Sequence, residues 1–322
     1  MQLADHLGDG FADYAYTVLK DFWVCLTLDY LFYRSPWKNA FTFKGGTSLS
    51  KAYGLIDRFS EDIDLILDWR VLGYRIHEPW EHRSNTQQQR FLKAGNERLF
   101  TFLRAEFLPA FHADMSALLG TEATVFITED DAGTVHFAYP NAYTDNSILR
   151  EIRLEIGAMA AWTPAQNVSI RPYAADYYPA IFSQPSTVIR TTTPERTFWE
   201  KATILHQEAY RPETSAIPSR YSRHYYDLYC MAHKGILDRA LAQNGLLADV
   251  AEFKRTFYPR PWAKYELARI GTLKLCPAQH SIDRLRSDYK QMRSMIYGEY
   301  PDFEALMSYI AELESTINSS RQ

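Results

Sequence analysis

The sequence predicts an α+β protein: a first half in which short strands alternate with helices, followed by an almost wholly helical second half. Three observations carry this. Short β-patterned runs such as "DIDLIL" occur only before Pro194, long 3.6-period runs flank them, and the patterning after Pro194 is helical nearly throughout. The 322 residues, 46% hydrophobic and 23% charged, suit a globular chain of two domains.

Taken in order, residues 11–33 read as helix and "AFTFK" (40–44) as strand. "DIDLIL" (62–67) is a second strand, and "HEPWEHRSNTQQQR" (77–90) reads as a polar linker. Helical patterning covers 86–119, a turn-rich hairpin region 129–147, and a strand "ILREIRLEIGAM" 148–159. The next helix opens in "TTTPERTFWEKATILHQEA", where Thr192 reads as the N-cap, Pro194 lies in the first turn and Glu195 stands at the capping-box position. A domain boundary is expected near 185–193, giving domains 1–190 and 191–322.

The N-terminus "MQLADHLGDG" has no basic n-region, and the best apolar stretch, "FWVCLTLDYLFY", is broken by Asp29. No membrane segment is expected. Cys25, Cys230 and Cys276 lie far apart without CxxC spacing, which argues against a disulfide framework or zinc site and for a cytoplasmic protein. The net charge of −4 leaves no global nucleic-acid footprint. Lys254 to Arg293 nevertheless holds ten basic residues against three acids, with Phe257, Tyr258, Trp262 and Tyr265 interleaved. That pattern fits a solvated helical surface or a phosphate-tracking patch.

In "RFSEDIDLIL", strand alternation sends Ile63, Leu65 and Leu67 to one face and Asp62, Asp64 and Ile66 to the other. The two carboxylates lie roughly 6.6 Å apart along the strand. Two anions beside a core repel and resist desolvation, so a cation is expected between them. An EF-hand is excluded, because neither the oxygen ligand nor the glycine it needs is present. A DxD of the nucleotide-sugar type, paired carboxylates holding two divalent metals, and plain surface acids on an edge strand all remain open, with the two-metal reading fitting best.

Upstream, "FKGGTSLSKAYGL" (43–55) places Gly45 and Gly46 at a strand-to-helix turn, with Thr47 and Ser48 at the helix start, where backbone N–H groups can meet phosphate. The P-loop spacing is absent, and a plain turn is the competing reading. In the strand at 148–159, Arg153 and Glu155 share the face opposite Ile152, Leu154 and Ile156. Glu155 is a candidate third metal carboxylate, with a cross-strand salt bridge as the alternative.

A helical wheel places Lys201 inside the apolar arc of its helix, with Arg196 and Glu200 facing out. An inward lysine needs an anion, a carboxylate or a nucleotide phosphate, unless it snorkels along the core edge. In "SRHYYDLYCM" (222–231), Arg223 and Asp227 share a helix face. Asp227 suits Lys201 as a partner and Arg223 suits a phosphate, although a surface ion pair reads the same way.

Together, "GGTSLSKAY", "DID", "ERTFWEKATIL", "SRHYYDLY", "GTLKLCP", "DYKQMRSMIYGEYPDF" and "LESTINS" resemble the AbiEii/AbiGii (MenT-like) toxin nucleotidyltransferases, relatives of DNA polymerase β, over most of the chain. The resemblance implies a polymerase-β-like N-terminal domain (1–190) carrying metal-binding carboxylates. It implies a mainly helical C-terminal domain (191–322) that completes the NTP cleft and offers an RNA-binding surface. Lys44, Gly45, Gly46, Thr47, Ser48, Ser60 and Arg223 would bind nucleotide, Asp62, Asp64 and Glu155 would bind Mg2+ (two ions), and Asp62, Asp64, Lys201 and Asp227 would be catalytic. A phosphate or nucleotide attached to Ser60 would block the pocket. His224 stands where the family often has an acid.

The expected activity is a Mg-dependent, EC 2.7.7-type transfer of NMP from NTP to an acceptor, a tRNA 3′ end, with release of pyrophosphate, by the toxin of a toxin–antitoxin pair. A protein or small-molecule acceptor and a non-catalytic nucleotide-binding module are the alternatives.

Overall fold

The computed structural model describes residues 11–60, 62–140, 150–159 and 163–320, with side chains from Thr17 onward. The readings of 141–149 as hairpin and strand fall outside the described residues.

The elements run α1 (Phe11–Asp29), β1 (Phe41–Lys44), α2 (Gly45–Lys51), β2 (Ile63–Leu67), α3 (Asn85–Phe102) and α4 (Leu108–Leu119). Next come β3 (Thr124–Phe126), β4 (Thr134–Ala138), β5 (Glu151–Gly157), β6 (Ala165–Ile170), α5 (Ala174–Tyr177) and β7 (Thr187–Thr192). The helices α6 (Pro194–Ala209), α7 (Arg223–His233), α8 (Ile236–Leu241), α9 (Leu246–Phe257), α10 (Ile282–Gln291) and α11 (Phe303–Ser319) follow. The fold is α+β: a mixed sheet with helices, then a mainly helical part.

The seven strands order as β3-β4-β5-β2-β1-β7-β6. β2 runs parallel to β5 and antiparallel to β1, with Asp64 opposite both Glu155 and Lys44. Because registered neighbours share a face, one side of the sheet gathers Phe41, Phe43, Ile63, Leu65, Leu67, Leu154 and Ile156, all buried. Trp23, Leu28, Phe107 and Phe111 belong to the same cluster. Each such aliphatic or aromatic side chain, fully buried, contributes about 1.5–3 kcal/mol. The opposite side carries the acids.

The chain divides into two units, residues 1–52 with 60–192, and 53–59 with 193–322. The short segment between α2 and β2 thus belongs to the helical unit: Phe59 N–H bonds Met295 O at 2.7 Å, and Tyr297 and Gly298 N–H both bond Asp57 O at 3.1 Å.

Three sequence readings shift. The linker at 77–90 ends early, because Ser84 caps α3 with a full capping box to Gln87. The cap of α6 is Thr193, which accepts from Arg196 N–H, one residue later than Thr192, so Glu195 falls short of the capping-box position. Arg196 does not face out: α6 is enclosed on nearly every side, and Arg196 is 3% exposed. A helical wheel sees one apolar arc, but this helix buries its polar side chains too and satisfies them by pairing. Arg196 meets Glu200 at 2.9 Å, Glu208 meets Arg211 at 2.5 Å, and Glu195 meets Arg239.

Candidate active site

The acidic face of the sheet is built by register. Asp62 and Asp64 lie on one face by alternation, and the β2–β5 pairing sets Glu155 directly across from Asp64. A cation stands among these acids, Arg153, beside Asp62 and Glu155. Its guanidinium lies 3.4 Å from Glu155, 3.5 Å from Asp131 and 3.9 Å from Asp62. Burial pushes its pKa down, but Asp62, Glu155, Asp131 and Glu151 outweigh that and hold it above the usual arginine value.

Gly45 opens α2 against this face. Its φ is +80°, and a Cβ there would lie 1.8 Å from Asp64 Oδ2, so only glycine lets the backbone approach this carboxylate. Thr47 and Ser48 are buried, and their hydroxyls turn inward. Thr47 Oγ1 donates to the Asp62 carbonyl at 2.6 Å and lies 3.0 Å from Ser60 Oγ, and Ser48 Oγ donates to Gly45 O at 2.8 Å. These bonds pin the start of α2 to the residues that lead into β2.

Among the described residues, no three His, Cys, Asp or Glu side chains close into a complete metal shell. Asp62 and Asp64 nonetheless fit Mg2+, which keeps an octahedral oxygen shell and is commonly held by one or two carboxylates, with substrate phosphates and water filling the rest. Gly45's lack of a Cβ is what lets the Asp64 carboxylate lie against the start of α2.

Lys201, Asp227 and Arg223 lie in the helical unit. Lys201 Nζ sits 2.6 Å from Asp227 Oδ2, and Arg58 forks onto the same carboxylate, Nε to Oδ1 at 2.6 Å and Nη2 to Oδ2 at 2.8 Å. Asp227 is fully buried, with Arg58 and Lys201 nearly so. Burial raises the Asp227 pKa, but Arg58 and Lys201 overcome it and hold the carboxyl well below its usual range. The Lys201 pKa is lowered as well: burial pushes it down and Asp227 only partly restores it. Both carboxylate oxygens are therefore occupied by side chains of this unit.

Arg223 makes no ion pair among the described residues. His224, half-buried with Nδ1 enclosed, is held neutral, first by burial and then by Lys201 and Arg223. Its pKa lies well below the ordinary histidine value.

Sequence reasoning paired Lys201 with Asp227 but missed Arg58. The available signal was a charged pair, Asp57 and Arg58, flanked by apolar residues in "LIDRF". Among the described residues, no helix is long and apolar enough to cross a membrane.

No curated protein matches the chain by sequence. Among solved structures, MenT4, a nucleotidyltransferase toxin from Mycobacterium tuberculosis H37Rv, is similar at 17% identity, with 98% of each chain covered and a TM-score of 0.44. The family model described as "Nucleotidyl transferase AbiEii toxin, Type IV TA system" matches residues 27–309, so the chain belongs to the AbiEii nucleotidyltransferase toxin family of type IV toxin–antitoxin systems.

Proposed function

We propose that this nucleotidyltransferase moves a nucleoside monophosphate from an NTP to the 3′ hydroxyl of a tRNA. The hydroxyl oxygen attacks the α-phosphorus, the α–β phosphoanhydride bond breaks, and pyrophosphate leaves. The observation that carries the reading is the presentation of Asp62 and Asp64 on one sheet face against the Cβ-less Gly45.

In this reading Asp62 and Asp64 hold Mg2+, with Glu155 as the additional carboxylate on the neighbouring strand. When bound, two such ions supply charge stabilisation to the attacking and leaving oxygens. The chain's own part is positioning. Gly45 and Gly46 offer N–H groups to phosphate oxygens, beside Lys44, and the Thr47–Ser60 contact fixes the approach to β2. In the helical unit, Lys201 and Arg223 are assigned to the phosphates as charge-offsetting cations. Asp227 holds Arg58 and Lys201 in place, because both of its oxygens are engaged. The family also implies a cognate antitoxin.

The test incubates the protein with Mg2+, total tRNA and each labelled NTP in turn. Label should enter tRNA with release of pyrophosphate, and Asp62→Ala and Asp64→Ala should abolish it. Label in a protein or small molecule instead moves the acceptor. NTP binding without pyrophosphate release makes the chain a binding module, and retained activity in either Asp variant removes the carboxylate mechanism.

A further inference from the structure

Away from the carboxylate face, the helical unit carries a patch organised by a histidine that the proposed reaction does not use. His206, on α6, is fully buried. Its Nδ1 accepts from Lys274 N–H at 2.9 Å, so Nε2 carries the proton and donates to Lys264 O at 3.1 Å. Burial, the main cause, pushes its pKa below the ordinary value, which keeps this neutral tautomer in place. One ring thereby ties together the backbones at Lys264 and Lys274.

Both lysines turn their ammonium groups to one tyrosine. Lys264 Nζ lies 4.8 Å and Lys274 Nζ 5.3 Å from the Tyr210 ring centre, and His206 meets that ring edge-on at 5.1 Å. Lys264 has φ 46°, a left-handed backbone that a non-glycine residue seldom adopts. Trp262 carries Arg211 at 4.9 Å and Arg260 at 5.9 Å from its ring centre. Glu208 answers the charge of Arg211. Arg260, Lys264 and Lys274 are exposed and make no ion pair among the described residues.

Three exposed cations without an ion pair, held beside two half-exposed rings, match a ligand that is both polyanionic and rich in flat π-faces. An acidic peptide would satisfy the cations but leave the rings without a stacking partner. Single-stranded nucleic acid satisfies both, its phosphates meeting the cations and its bases stacking on rings and guanidinium planes.

We propose that Tyr210, Trp262, Arg260, Lys264 and Lys274 form a docking surface for single-stranded nucleic acid, with His206 holding its two lysine-bearing segments in register. The link to tRNA modification rests on the nucleotide-transfer reading, but binding at this surface does not.

The test is fluorescence anisotropy of a labelled single-stranded oligoribonucleotide with the full chain, without NTP or Mg2+, across a salt series. Replacing both exposed lysines, Lys264→Gln with Lys274→Gln, should weaken binding at least about fivefold. It should also flatten the slope of log affinity against log salt by about 1.4, at roughly 0.7 per phosphate contact. Trp262→Leu should weaken binding about five- to a hundredfold with little change in slope, the signature of lost stacking. Circular dichroism checks that each variant retains its helices. Unchanged affinity and slope in the lysine variant would overturn the proposal. So would polyglutamate competing as well as the oligonucleotide, which would assign the patch to an acidic protein. Binding that behaves as expected in a protein that transfers no nucleotide would refute the transferase reading and leave this surface standing.

Discussion

Arg58 and Asp227 meet through two side-by-side hydrogen bonds, 2.6 and 2.8 Å long, with both side chains closed off from solvent. Lys201 adds a third contact to the same carboxylate at 2.6 Å. Two buried cations thus depend on one anion. The segment that supplies Arg58 continues directly in sequence to Ser60 and Asp62.

Asp227→Ala should therefore cost about 3–5 kcal/mol, because it strands two buried cations where an apolar residue of similar volume on all three positions would not. Urea unfolding should show a lower midpoint with the slope unchanged. The wild-type contribution is present above the unfolded aspartate value of about 3.9 and is lost only as pH falls below it, since the folded pKa is depressed. An unshifted midpoint would mean that the fork contributes nothing.

The sheet's central strands and their faces were legible because alternation is a local property. Ile63, Leu65 and Leu67 could point only one way once Asp62 and Asp64 pointed the other. The flanking strands were not: Ala165–Ile170 reads "AQNVSI", and Thr187–Thr192 lies where a boundary was expected. Their strand state comes from pairing with each other and, for the latter, with β1. Arg58 was invisible for a related reason. Its partner is distant in sequence, and only tertiary structure turns a charge in "LIDRF" into a buried anchor. Arg153 stood in plain view, but its role as the cation among the acids needed the β2–β5 register.

Gly45→Ala separates backbone strain from site disruption. The left-handed φ alone costs about 1 kcal/mol. The added Cβ must also push aside Asp64 Oδ2, which it would meet at 1.8 Å, and a misplacement of about 1 Å can cost roughly a hundredfold in rate. Gly73 has nearly the same φ, +83°, with nothing within 4 Å of its built Cβ. Gly73→Ala should lose only the backbone cost and keep full activity, whereas Gly45→Ala should lose more stability and most of its activity. Equal activity in the two variants would remove Gly45 from the site.

His206 and His224 should make the fold acid-sensitive between about pH 6.5 and 5. Burial is the main cause in both, and both pKa values are lowered in the folded state. Below the unfolded value of about 6.5 the unfolded chain takes up protons that the folded chain refuses, so stability falls as pH falls, by up to about 1.4 kcal/mol per pH unit for each histidine. Urea midpoints measured from pH 5 to 8 should follow this slope, and His224→Gln should flatten part of it. A wild-type profile that is level from pH 5 to 6.5 would contradict the neutral assignments.

In the proposed site Arg153 and a metal would compete for the same carboxylates, which gives a readout independent of activity. Arg153→Met removes the cation now 3.4 Å from Glu155 and 3.9 Å from Asp62. Without metal the variant should melt lower, by an amount equivalent to no more than about 1 kcal/mol because the cluster is partly solvated. With millimolar Mg2+ or Mn2+ the order of gains should reverse. A divalent ion no longer meets a repelling guanidinium, and ligand binding to the folded state raises its stability by RT ln(1 + L/Kd) at free ligand concentration L. The metal-induced rise in melting temperature should therefore be larger in Arg153→Met than in wild type, and Asp64→Asn added to either background should abolish it. If the metal leaves the melting temperature of both proteins unchanged, the acids of this face serve Arg153 alone.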